Sequence, residues 1–255
     1  MNSRETEVNA PLAQGVAGIT NVGLFAEALG RTTSRNKLLP GIVAFYGPSG
    51  FGKSVAATFV ANRLRAYYVQ ATSTCTKKSF LLSILKEMGI PAAKTIYEML
   101  DQVAGELAKS GKPLIVDEFD HLVNGSGNKV ELVRDIYEAS QGTILIIGEE
   151  LLPRKLAKWE RFSGRVLHWV AAEPATLSDA RALAGIYASR VSIDDYVLEE
   201  LVATVRGSTR RVCTNLESLH ERALELGVST LDRTELKRVM PEGFTTGESP
   251  RPRSF

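Results

Sequence analysis

Eight consecutive residues, Gly47, Pro48, Ser49, Gly50, Phe51, Gly52, Lys53 and Ser54, have the spacing GxxxxGK[ST]. They follow the apolar run Ile42 to Tyr46 and open an amphipathic stretch, Lys53 to Arg65, so the motif sits in the strand–loop–helix setting that a phosphate-binding loop requires. Glycines let such a loop curl until successive backbone N–H groups and the following helix N-terminus converge on a phosphate. In that geometry Lys53 reaches the β and γ phosphates of a nucleoside triphosphate and Ser54 ligates Mg²⁺, with Val55 completing the nucleotide-binding stretch. ATP and Mg²⁺ are the expected cofactors.

A second acidic motif supplies the other half of the chemistry. In KPLIVDEFDHL a short apolar strand ends in Asp117 and Glu118. Asp117 is placed to hold Mg²⁺ through water or Ser54, and Glu118, one residue on, to polarise the attacking water. Asp120 and His121 read as solvated or capping groups, not catalytic ones. Asn128, Lys129, Val130 and Glu131 superficially match the NKxD guanine signature, but Glu stands at the acidic position and the tetrad starts a helix. Guanine specificity is therefore rejected.

These residues need a frame to converge. Five apolar runs read as buried strands: Ile42 to Tyr46, Tyr67 to Gln70, Leu114 to Val116, Thr143 to Ile147 and Val166 to Val170. Amphipathic stretches at Lys53 to Arg65, Ser79 to Met88, Ile96 to Lys109 and Val130 to Ser140 separate them. Strands alternating with helices predict an α/β fold, a parallel sheet flanked by helices on both faces. After Glu173 the strand pattern stops, and Leu177 to Val239 reads as three or four helices forming a small C-terminal lid. The expected organisation is a tail at 1–18, an α/β core at 19–172, a helical lid at 173–240 and a disordered tail at 241–255.

Composition limits the function classes. With 31 Lys and Arg against 29 Asp and Glu in 255 residues, net charge is +2, so any nucleic-acid contact must come from a local patch. The two cysteines, Cys75 and Cys213, form no CxxC or Cys/His cluster, which argues against a zinc site and fits a reducing, cytoplasmic compartment. Neither an 18-residue apolar run nor an apolar leader is seen in the sequence, so no membrane partner is expected.

The phosphate loop, the Asp-Glu motif, an arginine-bearing segment before the fifth strand and a GxxR in the helical region together resemble an AAA+ ATPase across residues 19 to 240. The resemblance implies a lid arginine that senses the γ-phosphate, and Gly207, Ser208, Thr209 and Arg210 match that motif. It also implies an arginine finger reaching the neighbouring subunit's site, for which LLPRKLAKWERFSGRV offers Arg161 first, then Arg165, then Arg154. A fixed guanidinium charge suits the spreading phosphoryl charge. One departure concerns sensor 1, where TILIIG runs into Glu149 and Glu150 while many relatives carry Asn, Thr or Ser.

Within that superfamily, ITNVGLFAEAL, VDEFDHL and ILIIGEELLPRKL most resemble the Mu B, TnsC and TniB group of transposition ATPases. What this implies is an ATP-dependent protein of a bacterial or phage-infected cell that polymerises on duplex DNA without sequence preference. Its partners would be duplex DNA, other copies of itself and a transposase that it activates. TSTCTKKS offers Thr76, Lys77, Lys78 and Ser79 as phosphate contacts at a helix start, and Gly125 to Lys129 is a second candidate. A solvated basic turn is the alternative at Lys77 and Lys78. The alternative function is a helicase-loader or initiator-type ATPase, or a nucleotide-switch adaptor that binds protein and never DNA.

Overall fold

In a computed structural model of the chain, the described residues are 18–123 and 129–247. The loop expected at Gly125 to Asn128 and most of both expected tails lie outside them. The described residues form two compact units, one from 21–49, 53–123 and 129–172 and the other from 173–247 with 18–20 and 50–52.

The first unit is built on five parallel strands, β1 (Ile42–Tyr46), β2 (Tyr67–Gln70), β3 (Leu114–Asp117), β4 (Ile144–Gly148) and β5 (Val166–Ala171), in the order β2-β3-β4-β1-β5. Helices join them: α1 (Thr20–Thr33), α2 (Lys53–Leu64), α3 (Lys77–Met88), α4 (Ile96–Ser110), the short α5 (Asp120–Val123), α6 (Lys129–Ser140), and the short α7 (Leu152–Leu156) and α8 (Glu160–Ser163). Alternation along the strands divides the sheet into two apolar faces. Ile42, Ala44, Leu114, Val116, Ile144 and Ile146 pack in one core with Phe80 and Leu81 of α3, Val103 and Leu107 of α4, and Ile136 of α6. On the alternate positions Phe45 meets Phe25 of α1 edge to face at 5.3 Å. Strands β1, β3 and β4 are thus buried on both sides, as the unbroken apolar runs require. By contrast β5 is a half-exposed edge, with Trp169 at 37% exposure, and not the fully buried strand that its composition predicts.

Local chemistry sets the helix ends. Thr76 and Ser79 form a reciprocal capping box at the start of α3, and Thr95 and Glu98 do the same for α4. Gly89 and Gly111 close these helices in the left-handed conformation.

Arg35, only 8% exposed, ties the segment after α1 to the base of the sheet. Its guanidinium donates to the carbonyls of Thr32, Leu39, Gln141 and Gly142 and to the Thr143 hydroxyl, at 2.9 to 3.3 Å. The five-donor fork is thereby matched to five neutral acceptors. Arg35→Met should strand several of these buried carbonyls, costing on the order of 3 kcal/mol. For a chain of this size that is a fall in Tm of roughly 6–12 °C. A thermal unfolding midpoint within 2 °C of wild type, read to about that precision, would show the network to be dispensable.

The second unit contains α9 (Leu177–Tyr187), α10 (Asp195–Thr204), α11 (Thr209–Glu225) and α12 (Arg233–Val239). Contrary to the all-helical expectation, it also holds a two-residue parallel pair, β6 (Ser192–Ile193) with β7 (Thr230–Leu231). Residues 241–247, expected as part of a disordered tail, are held on α11. Asn215 donates to the Thr245 carbonyl at 3.0 Å and accepts the Thr245 N–H at 2.7 Å, and Phe244 is buried.

Candidate functional site

The phosphate loop leaves β1 at Gly47 and enters α2 at Lys53. Gly50 and Gly52 have φ of +86° and +77°, a conformation that side-chain-bearing residues adopt only with strain, so the two glycines are what permits the curl. Gly47 is constrained by space: a Cβ there would come within 2.9 Å of the Ala172 methyl. The Lys53 ammonium folds over the loop, donating to the carbonyls of Gly47 at 2.7 Å and Pro48 at 2.8 Å. Ser54 and Val55 are exposed in the first turn of α2.

Asp117, 2% exposed, ends β3, and both its carboxylate oxygens are engaged. Oδ1 accepts the N–H of Glu118 at 2.7 Å and Oδ2 accepts the Tyr68 hydroxyl at 2.8 Å. Glu118 is half-buried and its backbone is left-handed, with φ of +53°, a local cost of about 1 kcal/mol or more that the neighbouring hydrogen bonds must hold in place. Its carbonyl accepts the His121 N–H, and the next residue, Phe119, donates to Ile147 O at 2.8 Å. The turn carrying the Asp-Glu pair is thus fixed to β4.

Asp117, Glu118, Asp120 and Glu149 all act electrostatically on Lys53. Burial nonetheless outweighs them and holds the ammonium below the ordinary lysine range. Glycine loop, lysine and acidic pair are therefore drawn to the C-terminal ends of β1 and β3, where ligands of open α/β sheets bind.

Asp120 is buried, where the sequence reading allowed a solvated group. Its Oδ2 accepts the Glu149 N–H at 2.7 Å and its Oδ1 pairs with Lys155 at 2.6 Å. This explains Gly148 at the end of β4, since any Cβ there would run into Asp120 Oδ2. The Glu149 carboxylate is largely exposed and pairs with Lys155 at 3.2 Å, and these two acids raise the Lys155 pKa. Sequence alone did not expose this network, because Asp120 and Lys155 are 35 positions apart.

The remaining candidates are distributed over the surface. Arg161 and Arg154 are exposed, and Arg161 lines a groove of mixed charge with Lys77, Lys158, Glu131, Asp135 and Trp159. Arg165 is paired with Glu138. Arg210 is exposed at the start of α11, and its N–H donates to Gly50 O at 2.9 Å within the second unit.

Lys78 is exposed and Lys77 half-buried at the N-terminus of α3. The hydroxyls of Thr76 and Ser79, expected as phosphate donors, are instead committed to the capping box. Lys129 requires a correction: it is 7% exposed, its ammonium donating to Cys75 O at 3.0 Å and His121 O at 3.4 Å, so it ties the loop before α3 to α5 and is not displayed to a polyanion.

The residues present fit Mg-ATP. The loop is curled by its own backbone, a lysine is held over it, and a hydroxyl and a carboxylate with spare lone pairs belong to adjoining elements. Magnesium supplies charge neutralisation at the phosphates. Gly47–Ser54 and Lys53 would cradle the phosphate chain, with Ser54 and Asp117 holding the ion.

Comparison with known proteins agrees with this geometry. Residues 36–156 match the family model described as an AAA domain. Cell division protein C of Sulfolobus acidocaldarius is 25% identical over 202 residues, covering 72% of this chain and 51% of that protein. The proteasome-associated ATPase of Streptomyces avermitilis is 35% identical over 94 residues, 34% of this chain and 16% of that protein. The chain thus spans about half the length, or less, of these curated relatives.

Among solved structures, Aeropyrum pernix ORC2 superposes with a TM-score of 0.62 at 18% identity over 89% of this chain and 68% of its own. Thermotoga maritima RuvB, a Holliday junction branch migration motor, gives 0.60 at 18% over 87% and 68%. Aeropyrum pernix ORC1, in complex with DNA, gives 0.60 at 19% over 87% and 64%. The five-stranded parallel sheet with its flanking helices is that of a P-loop AAA+ fold.

Proposed function

We propose that this chain is an Mg-ATP-hydrolysing AAA+ module that assembles on duplex DNA and contacts it through the phosphate backbone. The observation that carries the ATPase part is the arrangement of Lys53 over a glycine-curled loop amid the carboxylates of Asp117 and Glu118. Lys53 and the loop amides bind the phosphates, Asp117 orients the metal side, and Glu118 takes a proton from the attacking water. Arg161 is the first choice for a finger completing a neighbour's site, because it is exposed and carries no ion pair among the described residues, whereas Arg165 is held by Glu138. Arg210 is assigned to sensing the γ-phosphate, and Glu149, already paired with Lys155, is the weakest of the catalytic candidates.

For DNA, support comes from Lys77 and Lys78 at the N-terminus of α3, where the helix dipole also favours phosphate. Two of the solved neighbours act on or bind DNA, RuvB as a Holliday junction branch migration motor and ORC1 in its DNA complex. The motif resemblance supports the finer reading, selection of a transposition target and activation of a transposase. The named neighbours include two ORC proteins, which favours the initiator-type alternative as the second reading.

Both readings share ATP-dependent duplex binding, so the direct test is binding to several unrelated duplexes across a salt series. Removing both lysines should weaken binding to all duplexes alike and lower the salt slope by up to about 2 per subunit, at roughly 0.9 per phosphate neutralised. Unchanged affinity and slope in Lys77→Ala/Lys78→Ala would move the DNA surface elsewhere. Absence of wild-type binding even at low salt would leave the protein-adaptor reading in front.

A further inference from the structure

Tyr68 belongs to neither of the two sequence motifs, yet its hydroxyl donates to Asp117 Oδ2 at 2.8 Å. Strand register places Gln70, not Tyr68, beside Asp117. Tyr68 starts two residues back along β2, about 6.5 Å away at the strand rise, a span that a phenol covers and a serine or threonine does not.

The consequence is a carboxylate held from both ends. With the Glu118 N–H on Oδ1 and the Tyr68 hydroxyl on Oδ2, rotation of the Asp117 carboxylate is blocked while each oxygen keeps a free lone pair. Asp117 is one of the two groups assigned to magnesium, and Tyr68 is the side chain that fixes it from β2.

We propose that Tyr68 is a positioning residue that sets the Asp117 carboxylate in the orientation Mg²⁺ needs. This rests on the reading of the loop as an Mg-ATP site. Magnesium tolerates little departure from octahedral geometry, so a carboxylate free to rotate binds it less well.

The test is Tyr68→Phe in the full chain, with binding of a fluorescent, slowly hydrolysed ATP analogue followed in EDTA and across a magnesium titration. Loss of such a supporting partner should raise the magnesium concentration for half-maximal tightening about 10-fold or more. Affinity in EDTA should stay within about twofold, since the phosphate cradle is untouched. In an Asp117→Asn background, Tyr68→Phe should cause no further change, because the phenol acts through that carboxylate.

A magnesium dependence equal to wild type would overturn the inference and leave the site reading standing. Equal losses with and without magnesium, or full additivity with Asp117→Asn, would make Tyr68 a general packing residue and overturn it as well. Wild-type protein that shows no magnesium-dependent nucleotide binding would overturn the site reading itself. Should Tyr68→Phe unfold, Tyr68→His, which keeps a ring and a donor but shortens the reach to Asp117, takes its place, and an unshifted magnesium requirement there counts against the proposal.

Discussion

Lys53→Ala is expected to weaken ATP binding by at least about 100-fold, because it removes two or more charge-assisted contacts to phosphate, each of about 1.5–3 kcal/mol. At 1.4 kcal/mol per decade, two such contacts account for roughly two to four powers of ten. The loop should survive the change. Its curvature comes from Gly50 and Gly52 at positive φ, and the two carbonyls that Lys53 contacts can be solvated once the ammonium is gone. Equilibrium binding of a fluorescent ATP analogue, with unfolding midpoints as the control, reads the result directly. Comparable affinities in wild type and variant would refute the phosphate assignment.

Glu118→Gln should act at a different step, with nucleotide affinity within a few-fold of wild type and turnover lower by about 10²–10⁴-fold, the range for loss of a general base. The amide is isosteric, and the left-handed backbone is held by the contacts of Asp117, His121 and Phe119, so the turn is not expected to collapse. Single-turnover hydrolysis of radiolabelled ATP separates the two steps. Rapid hydrolysis by the variant would remove Glu118 from the role.

The same variant probes assembly. Glu118→Gln subunits keep their fingers and Arg161→Ala subunits keep their bases, so mixtures should recover part of the activity that neither has alone. No recovery at any ratio would point to Arg165, Arg154 or a site complete within one subunit.

Much of the frame was legible in the sequence for identifiable reasons. Strands buried on both faces must be apolar throughout, so IVAFY, the run ending in LIVD and ILIIG stood out, and their spacing left room only for crossover helices. The helix start at Lys53 carried a recognisable phosphate-loop motif. Three features were not legible because they depend on register and distant neighbours.

Tyr68 reads as one more aromatic strand residue until the pairing of β2 with β3 is known. Lys129 reads as a loop cation until its burial beneath the Cys75 and His121 carbonyls is seen. The edge position of β5 follows from sheet order, which residue composition does not encode. Glu118 adds a fourth kind of case, since its positive φ contradicts its own intrinsic preference and is imposed by the surrounding hydrogen bonds.

Sheet order also dictates a timetable. In β2-β3-β4-β1-β5 the first strand to be synthesised, β1, lies inside the sheet, and its two partners, β4 and β5, come last. From Tyr46 to Ile144 the ribosome adds 144 − 46 = 98 residues. At about 5–20 residues per second, Ile42 to Tyr46 spends roughly 5–20 s with no neighbouring strand. Until then β2 and β3, closed by α3 and α4, can pair as a separate nucleus while the phosphate loop waits beside an unsealed apolar ribbon. Acquisition of nucleotide affinity is consequently one of the last events in the life of the nascent core, and the interval before it is when the chain is most exposed to aggregation or to capture by a chaperone.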